Sequence, residues 1–140
     1  MAAFFFRLRQ DARVRLLEKT NARYLKPQDI QEVVEVVALD VSFISATLVL
    51  PAVVAAAFAH TPVERRQLLV LVKPQFEVGR EQVGKGGIVR DPEAQAAAVE
   101  KLRQCAAKLG FTRLEVTESP ILGMEGNREF LLYARVDEDG

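Results

Sequence analysis

The stretch VVEVVALDVSFISATLVLPAVVAAAFAHTPVERRQLLVLVKP occupies residues 33–74, and its reading decides the fold. It opens with a β-branched run at 33–39 that stops at Asp40. Branched side chains restrict χ1 and pack well on a pleated surface, so this run predicts a strand. Residues 44–59 are apolar without strict alternation and predict a helix; Pro51 either kinks it or starts a second helical piece. Thr61-Pro62 breaks the chain. The continuous apolar run at 67–72 predicts a second strand, buried on both faces, and Lys73-Pro74 ends it. Strand, helix, strand predicts a parallel pair joined by a right-handed crossover.

Beyond this stretch the alternation continues. Residues 75–90 hold four glycines (Gly79, Gly84, Gly86, Gly87) and no hydrophobic period. They predict a long loop, the least ordered internal segment of the chain. Asp91-Pro92-Glu93 opens a helix, with Asp as N-cap and Pro at the first helical position, and Gly110 stops it. Strands are expected at 111–118 and 129–136, joined through 119–127 with no helix, and therefore as an antiparallel hairpin at one sheet edge. Towards the amino terminus, 14–18 reads as a short strand and 27–32 as a helical turn or two. The expected class is α/β, with a mostly parallel sheet and a C-terminal antiparallel hairpin. Polar residues follow strand ends at Thr20, Asn21, Asp40 and Lys73. In open α/β sheets that carboxyl edge is where ligands bind.

Composition narrows the class. The chain has 140 residues, one domain's worth, and is 49% hydrophobic and 27% charged, as soluble globular proteins are. Lys plus Arg and Asp plus Glu are 19 each, which excludes a strongly basic arm or an acidic disordered tail and leaves room for a local basic patch. One Cys and one His cannot make an intramolecular disulfide or a structural zinc site. No metal is expected, and a reducing cytoplasm is the simplest location. The apolar run before Arg7 and Arg9 is too short for a signal-peptide core. Residues 41–59 run 19 positions without a charge, about the length that spans a bilayer. Ser42, Ser45, Thr47 and Pro51 interrupt them and strands flank them, so they read as a buried helix and no membrane partner is expected.

Several motifs compete with plainer readings. GREQVGKG at 79–86 nearly matches a phosphate-binding P-loop, but Gly86 stands where Ser or Thr must hold magnesium. His60 reads as a helix-end residue and Cys105 as helix packing. Asp40, Lys73 and Glu129 each fall at a strand end, or at the start of an antiparallel neighbour. All three are therefore expected at one sheet edge, where singly each would be only an edge charge.

At these residues a resemblance enters. DVSFIS (40–45), LVKPQFEVGRE (71–81), KGGIVRDP (85–92) and SPILGMEGNREFLLY (119–133) resemble the FtsJ-like ribose methyltransferases, hemolysin A or TlyA subgroup. LLEKTNARYL (16–25) matches that subgroup too, so the resemblance runs along nearly the whole chain. It implies a Rossmann-like S-adenosylmethionine-dependent methyltransferase fold that methylates ribose 2′-hydroxyls of ribosomal RNA. Of the family's Lys-Asp-Lys-Glu set, Asp40, Lys73 and Glu129 match the last three. Glu125 lies in the same EGN string, but Glu129, before the aromatic Phe130, fits the catalytic position better. Thr20, Asn21 and Asp40 correspond to the cofactor side. Arg80, Lys85, Arg90 and Arg128 are expected at RNA phosphates, with salt-sensitive binding. No metal is required.

The sequence departs from the family in its first half. The S4-type RNA-binding domain, the first catalytic Lys, the glycine-rich first strand-turn and the acidic residue after the second strand are not found. Residues 1–140 are thus expected to be a partial, truncated FtsJ-like domain with an incomplete S-adenosyl-L-methionine site. A lysine accepts a proton only where desolvation or neighbouring positive charge favours its neutral form. The resemblance assigns that charge to the absent Lys and the cofactor sulfonium. Two readings follow: a ribosomal RNA 2′-O-methyltransferase, or a homologue inactive alone that serves as an RNA- or protein-interaction fragment. Without the preceding strands, the 33–39 strand has an unpaired edge open to self-association.

Overall fold

The computed structural model describes residues 10–15, 17 and 20–137. Its regular elements are β1 (Val36–Leu39), α1 (Leu50–Ala57), β2 (Gln67–Val72), α2 (Pro92–Lys108), β3 (Arg113–Glu118) and β4 (Phe130–Arg135), with short 3-10 turns between them. Of the strand expected at 14–18, Leu16 and Glu18 lie outside the described residues, and Val14, Arg15 and Leu17 are irregular. The turn expected near 27–32 is a 3-10 turn at Pro27–Asp29.

The four strands form one sheet in the order β1-β2-β4-β3. β1 and β2 are parallel, whereas β4 runs antiparallel to both β2 and β3. The sheet is therefore mixed and mostly antiparallel, which corrects the expectation of a mostly parallel one. The α/β class holds, and so does the C-terminal hairpin. The reason for the correction lies in the connections. α2 carries the chain from β2 past a vacant neighbouring place to β3, and the helix-free link then returns β4 into the gap. One inserted strand turns two sheet interfaces antiparallel.

Both helices close one face. Leu68, Val70 and Val72 of β2 and Leu132 and Ala134 of β4 point into a single core with Leu50 and Val54 of α1 and Ala98, Leu102 and Ala106 of α2. The α2 residues recur every four positions, so alanines let the helix lie close to the sheet and Leu102 fills the centre. Burying Leu102 contributes roughly 2 kcal/mol. Local signals fix the ends of α2. The Asp91 side chain accepts from the Glu93 backbone N–H at 3.0 Å, Pro92 begins the helix, and Gly110 leaves it at φ 102°. Pro51 lies in the first turn of α1 and starts that helix, after a separate 3-10 turn at Ala46–Leu48. No helix among the described residues is long and apolar enough to cross a membrane.

Among the described residues no helix covers the opposite sheet face. Leu69 and Leu71 are only half-buried, so β2 is sealed on one face rather than on both as its sequence predicted. β1 has a strand neighbour on the β2 side alone among the described residues, and Val36 on it is 57% exposed.

Candidate active site

Register brings the expected residues to one edge. Val72 pairs with Phe130 in the antiparallel β2–β4 ladder, and Leu39 pairs with Val70 in the parallel one. The ends of β1 and β2 and the start of β4 therefore face the same way, and Asp40, Lys73 and Glu129 follow or precede them by one residue. Lys73 is nine-tenths buried, and its Nζ meets Asp40 Oδ1 at 2.5 Å and donates to Ser42 Oγ at 2.9 Å. Asp40 is largely exposed, so this pair gains little from Coulomb attraction alone and serves mainly to orient the amine.

Glu129 reaches the group indirectly. It is 5% exposed, and its Oε2 accepts from Gln75 Nε2 at 3.1 Å. Gln75 lies two residues beyond Lys73, so the turn at Pro74–Phe76 couples the carboxylate to the lysine segment. Gly123 makes room for it: a Cβ there would run into the Glu129 carboxylate. Glu125, the alternative in the same string, sits in a left-handed turn at φ 59° beside Gly126 and is exposed.

A second buried carboxylate holds the loops. The Glu77 side chain is 2% exposed. It accepts from Ser45 Oγ at 2.5 Å and the Ala46 backbone N–H at 2.8 Å, and pairs with Lys101 Nζ at 3.2 Å. It ties the loop after β1 to the loop after β2 and to α2. Between the two anchors, Ser42 and Ser45, Phe43 adopts φ 66°, is 78% exposed and sits 5.0 Å from the Phe76 ring. A positive φ at a bulky residue is strained and persists only because the surroundings impose it.

Asn127 organises the glycine-rich loop. Its Oδ1 accepts from Val89 N at 2.9 Å and its Nδ2 donates to Gly87 O at 2.8 Å. Gly86 and Gly87 turn at φ 80° and 77°, and Gly84 N bonds Ile88 O at 2.8 Å. This geometry is a tight turn, not a strand–loop–helix P-loop. The loop expected across 75–90 is thus punctuated by 3-10 turns at Pro74–Phe76 and Arg80–Gln82 and tethered at its far end.

The remaining expected residues are dispersed. Asn21 Oδ1 caps the turn at Ala22–Tyr24 by accepting from Arg23 N at 3.0 Å, and Thr20 precedes it, exposed. Arg80 and Lys85 are exposed on the glycine-rich loop. Arg90 donates to Lys85 O at 3.3 Å and lines a 400 Å³ cleft with Arg128, which also pairs with Glu118 at 2.8 Å. The residues present do not fit a complete S-adenosylmethionine site. Asn21 spends its oxygen on a cap, and Asp40 spends a carboxylate oxygen on Lys73.

Ser42, Gln75, Glu77, Gly123 and Asn127 were missed by reasoning on the sequence. All five lie inside the motif strings, yet the partners of Ser42, Gln75, Glu77 and Asn127 are 24 or more residues away, and Gly123 acts through its missing side chain.

A strained loop, a buried lysine and a buried carboxylate thus meet at the carboxyl edge of an α/β sheet, where such folds bind ligands. The chain belongs to the FtsJ-like methyltransferase family, whose profile matches residues 2–136. It is 45% identical over 132 residues to the Mycobacterium tuberculosis 16S/23S rRNA (cytidine-2'-O)-methyltransferase TlyA, covering 94% of this chain and 47% of that protein. It is 35% identical over 134 residues to Hemolysin A of Brachyspira hyodysenteriae, covering 91% of this chain and 52% of that protein. A solved structure described as a hemolysin from Streptococcus thermophilus superposes with a TM-score of 0.82 at 42% identity, over 94% of this chain and 46% of that one. The chain spans about half the length of the curated relatives it matches.

Proposed function

We propose that this chain carries the catalytic edge of a ribosomal RNA ribose 2′-O-methyltransferase, with Asp40, Lys73 and Glu129 as its reacting group. The observation that carries the reading is the nearly buried Lys73 amine, fixed between Asp40 and Ser42 at the sheet edge. Two of its three donor positions are taken, so the third is aimed rather than free. That direction suits the oxygen of a ribose hydroxyl, which must be held in line and lose its proton. Glu129, steadied by Gln75, supplies a second fixed acceptor nearby. Arg80, Lys85, Arg90 and Arg128 meet RNA phosphates. The name of the tuberculosis relative supports ribosomal RNA and a cytidine ribose as the target.

Family membership implies S-adenosylmethionine as methyl source, and when bound that group supplies the electrophilic methyl. Thr20, Asn21 and Asp40 offer it only one side, so the isolated chain binds it weakly and does not turn over. The test is a segment exchange. This chain replaces the matching half of the tuberculosis relative, and ribosomal RNA methylation is measured with and without Lys73→Ala. A folded chimera that is inactive, or one indifferent to Lys73→Ala, sinks the reading. A micromolar Kd for the cofactor with purified monomer of this chain, by isothermal titration, would overturn the incomplete-site statement.

The β1 edge, without a strand neighbour among the described residues, and the half-buried leucines Leu69 and Leu71 favour a second reading of the isolated chain, as an interaction fragment that associates through that edge. Sedimentation that stays monomeric at the highest soluble concentration counts against it.

A further inference from the structure

We propose that Ser42 is a positioning residue for the methyl transfer, whose neutral hydroxyl accepts a hydrogen bond from the Lys73 amine and aims that amine at the ribose oxygen. The inference rests on the RNA-methylation reading above and deepens it.

Three observations carry it. The first is the contact itself. Lys73 Nζ donates to Ser42 Oγ at 2.9 Å and meets Asp40 Oδ1 at 2.5 Å. An ammonium can only donate, so the hydroxyl oxygen is the acceptor. One acceptor lets an amine swing about the contact on its flexible four-carbon stem, and a second acceptor removes that swing. The second observation is that Ser42 has no other task. Its exposed side chain makes no other hydrogen bond among the described residues. Ser45, three positions on, is employed differently: it caps the Ala46–Leu48 turn by accepting from Thr47 N at 3.2 Å and donates to Glu77. The third observation is that the place of Ser42 is imposed. Phe43 follows it at φ 66°, and Glu77 grips Ser45 and Ala46 beyond. With Asp40 held by Lys73 on the other side, the segment is pinned at both ends and the hydroxyl is set before substrate arrives.

The charge of the acceptor matters as much as its place. A carboxylate beside an amine favours the charged form, and a lysine must be neutral to accept a proton. Asp40, in the loop after β1, brings one negative charge to Lys73, and Glu129, before β4, brings another to the same edge through Gln75. Glu77 is engaged by Lys101, and neither helix gives Lys73 an ion pair among the described residues. A hydroxyl at position 42 therefore supplies direction without a further negative charge.

The experiment has two arms. In the first, the nitrogen-15-labelled chain is followed by NMR through its lysine amine signals, with Lys73→Arg assigning the one in question. A hydrogen-bonded amine that is nine-tenths buried is shielded from exchange with water, so Lys73 should give a signal near pH 6. Ser42→Ala should lose it and Ser42→Thr should keep it. In the second arm the same variants are placed in the chimera with the tuberculosis relative. Ser42→Ala should lower kcat about tenfold or more with KM within about twofold, because the contact aims a reacting group and does not bind substrate. Ser42→Thr should restore most of the rate. Ser42→Asp should keep the amine signal yet lower the rate at neutral pH, with recovery about one to two pH units higher. A merely structural serine would not move the pH profile. An amine signal absent from the wild-type chain or unchanged in Ser42→Ala overturns the assignment, as does a Ser42→Asp rate equal to the wild type's at every pH. A folded chimera that is inactive with Ser42 intact sinks the methylation reading and this proposal with it; an active one indifferent to Ser42→Ala sinks the proposal alone. Ser42 is exposed, so these substitutions leave the core untouched, and superposable circular dichroism spectra check that they do.

Discussion

Two buried carboxylates sit within one small region of the sheet edge, and they are furnished differently. Glu77 meets a hydroxyl, a backbone N–H and a lysine, drawn from the loop after β1 and from α2. Glu129, nearly as buried, accepts one hydrogen bond among the described residues, from the Gln75 side-chain amide. A carboxylate surrounded by donors from two other segments is a bolt. One left with lone pairs to spare, beside a glycine whose missing side chain makes room for it, is not held in that way. Both glutamates lie in strings that resemble the same family, so motif membership alone does not separate scaffold from site.

The largest expected effect tests that division by removing each carboxylate. Glu77→Ala leaves a backbone N–H and a hydroxyl without their acceptor and should cost about 3 kcal/mol. Glu129→Ala removes one contact and should cost about 1 kcal/mol. Thermal unfolding followed by circular dichroism reads both, and equal losses would erase the distinction.

Gly123→Ala comes next. It places a methyl where the Glu129 carboxylate lies and should cost about 1–2 kcal/mol by overpacking. A crystal structure of the variant should show Glu129 moved away from Gln75. An unmoved carboxylate would mean that the glycine has no part in the site.

Asn127→Ala should act locally. Losing the bonds to Val89 and Gly87 should speed amide exchange in the glycine-rich loop while the β2 ladder stays protected. If exchange in β2 rises as much as in the loop, the tether is part of the core rather than a support for the loop alone.

The smallest effect lies on the scaffold side. Burial, and then the negative charge of Glu77, raise the Cys105 thiol above its ordinary pKa. A raised pKa means less thiolate at any pH below it, so modification by a disulfide reagent at pH 8 should be slower than for a free thiol and should accelerate as pH rises towards 10. A rate equal to that of glutathione at pH 8 would show that α2 opens at this point.

The local chemistry of the chain was legible early because it depends on neighbours in sequence. Asp91-Pro92 and Gly110 bound α2, the apolar run at 67–72 is β2, and Pro51 begins α1, since caps, proline geometry and side-chain period act within a few residues. Strand-end positions likewise placed Asp40, Lys73 and Glu129 on one edge, because strand direction and period carry that much. The sheet order needed tertiary structure. Whether β4 adds outside β3 or inserts beside β2 is decided by which arrangement buries Leu132 and Ala134 under α2, and no local pattern encodes that choice. The same holds for the partners of Glu77, Gln75 and Asn127, which sit 24 to 54 residues away from them in the chain. Sequence by itself determined the long elements from 36 onward and the edge at which Asp40, Lys73 and Glu129 gather. Only packing decided which buried polar groups hold the edge together, because their partners come from distant segments that meet only when the core closes.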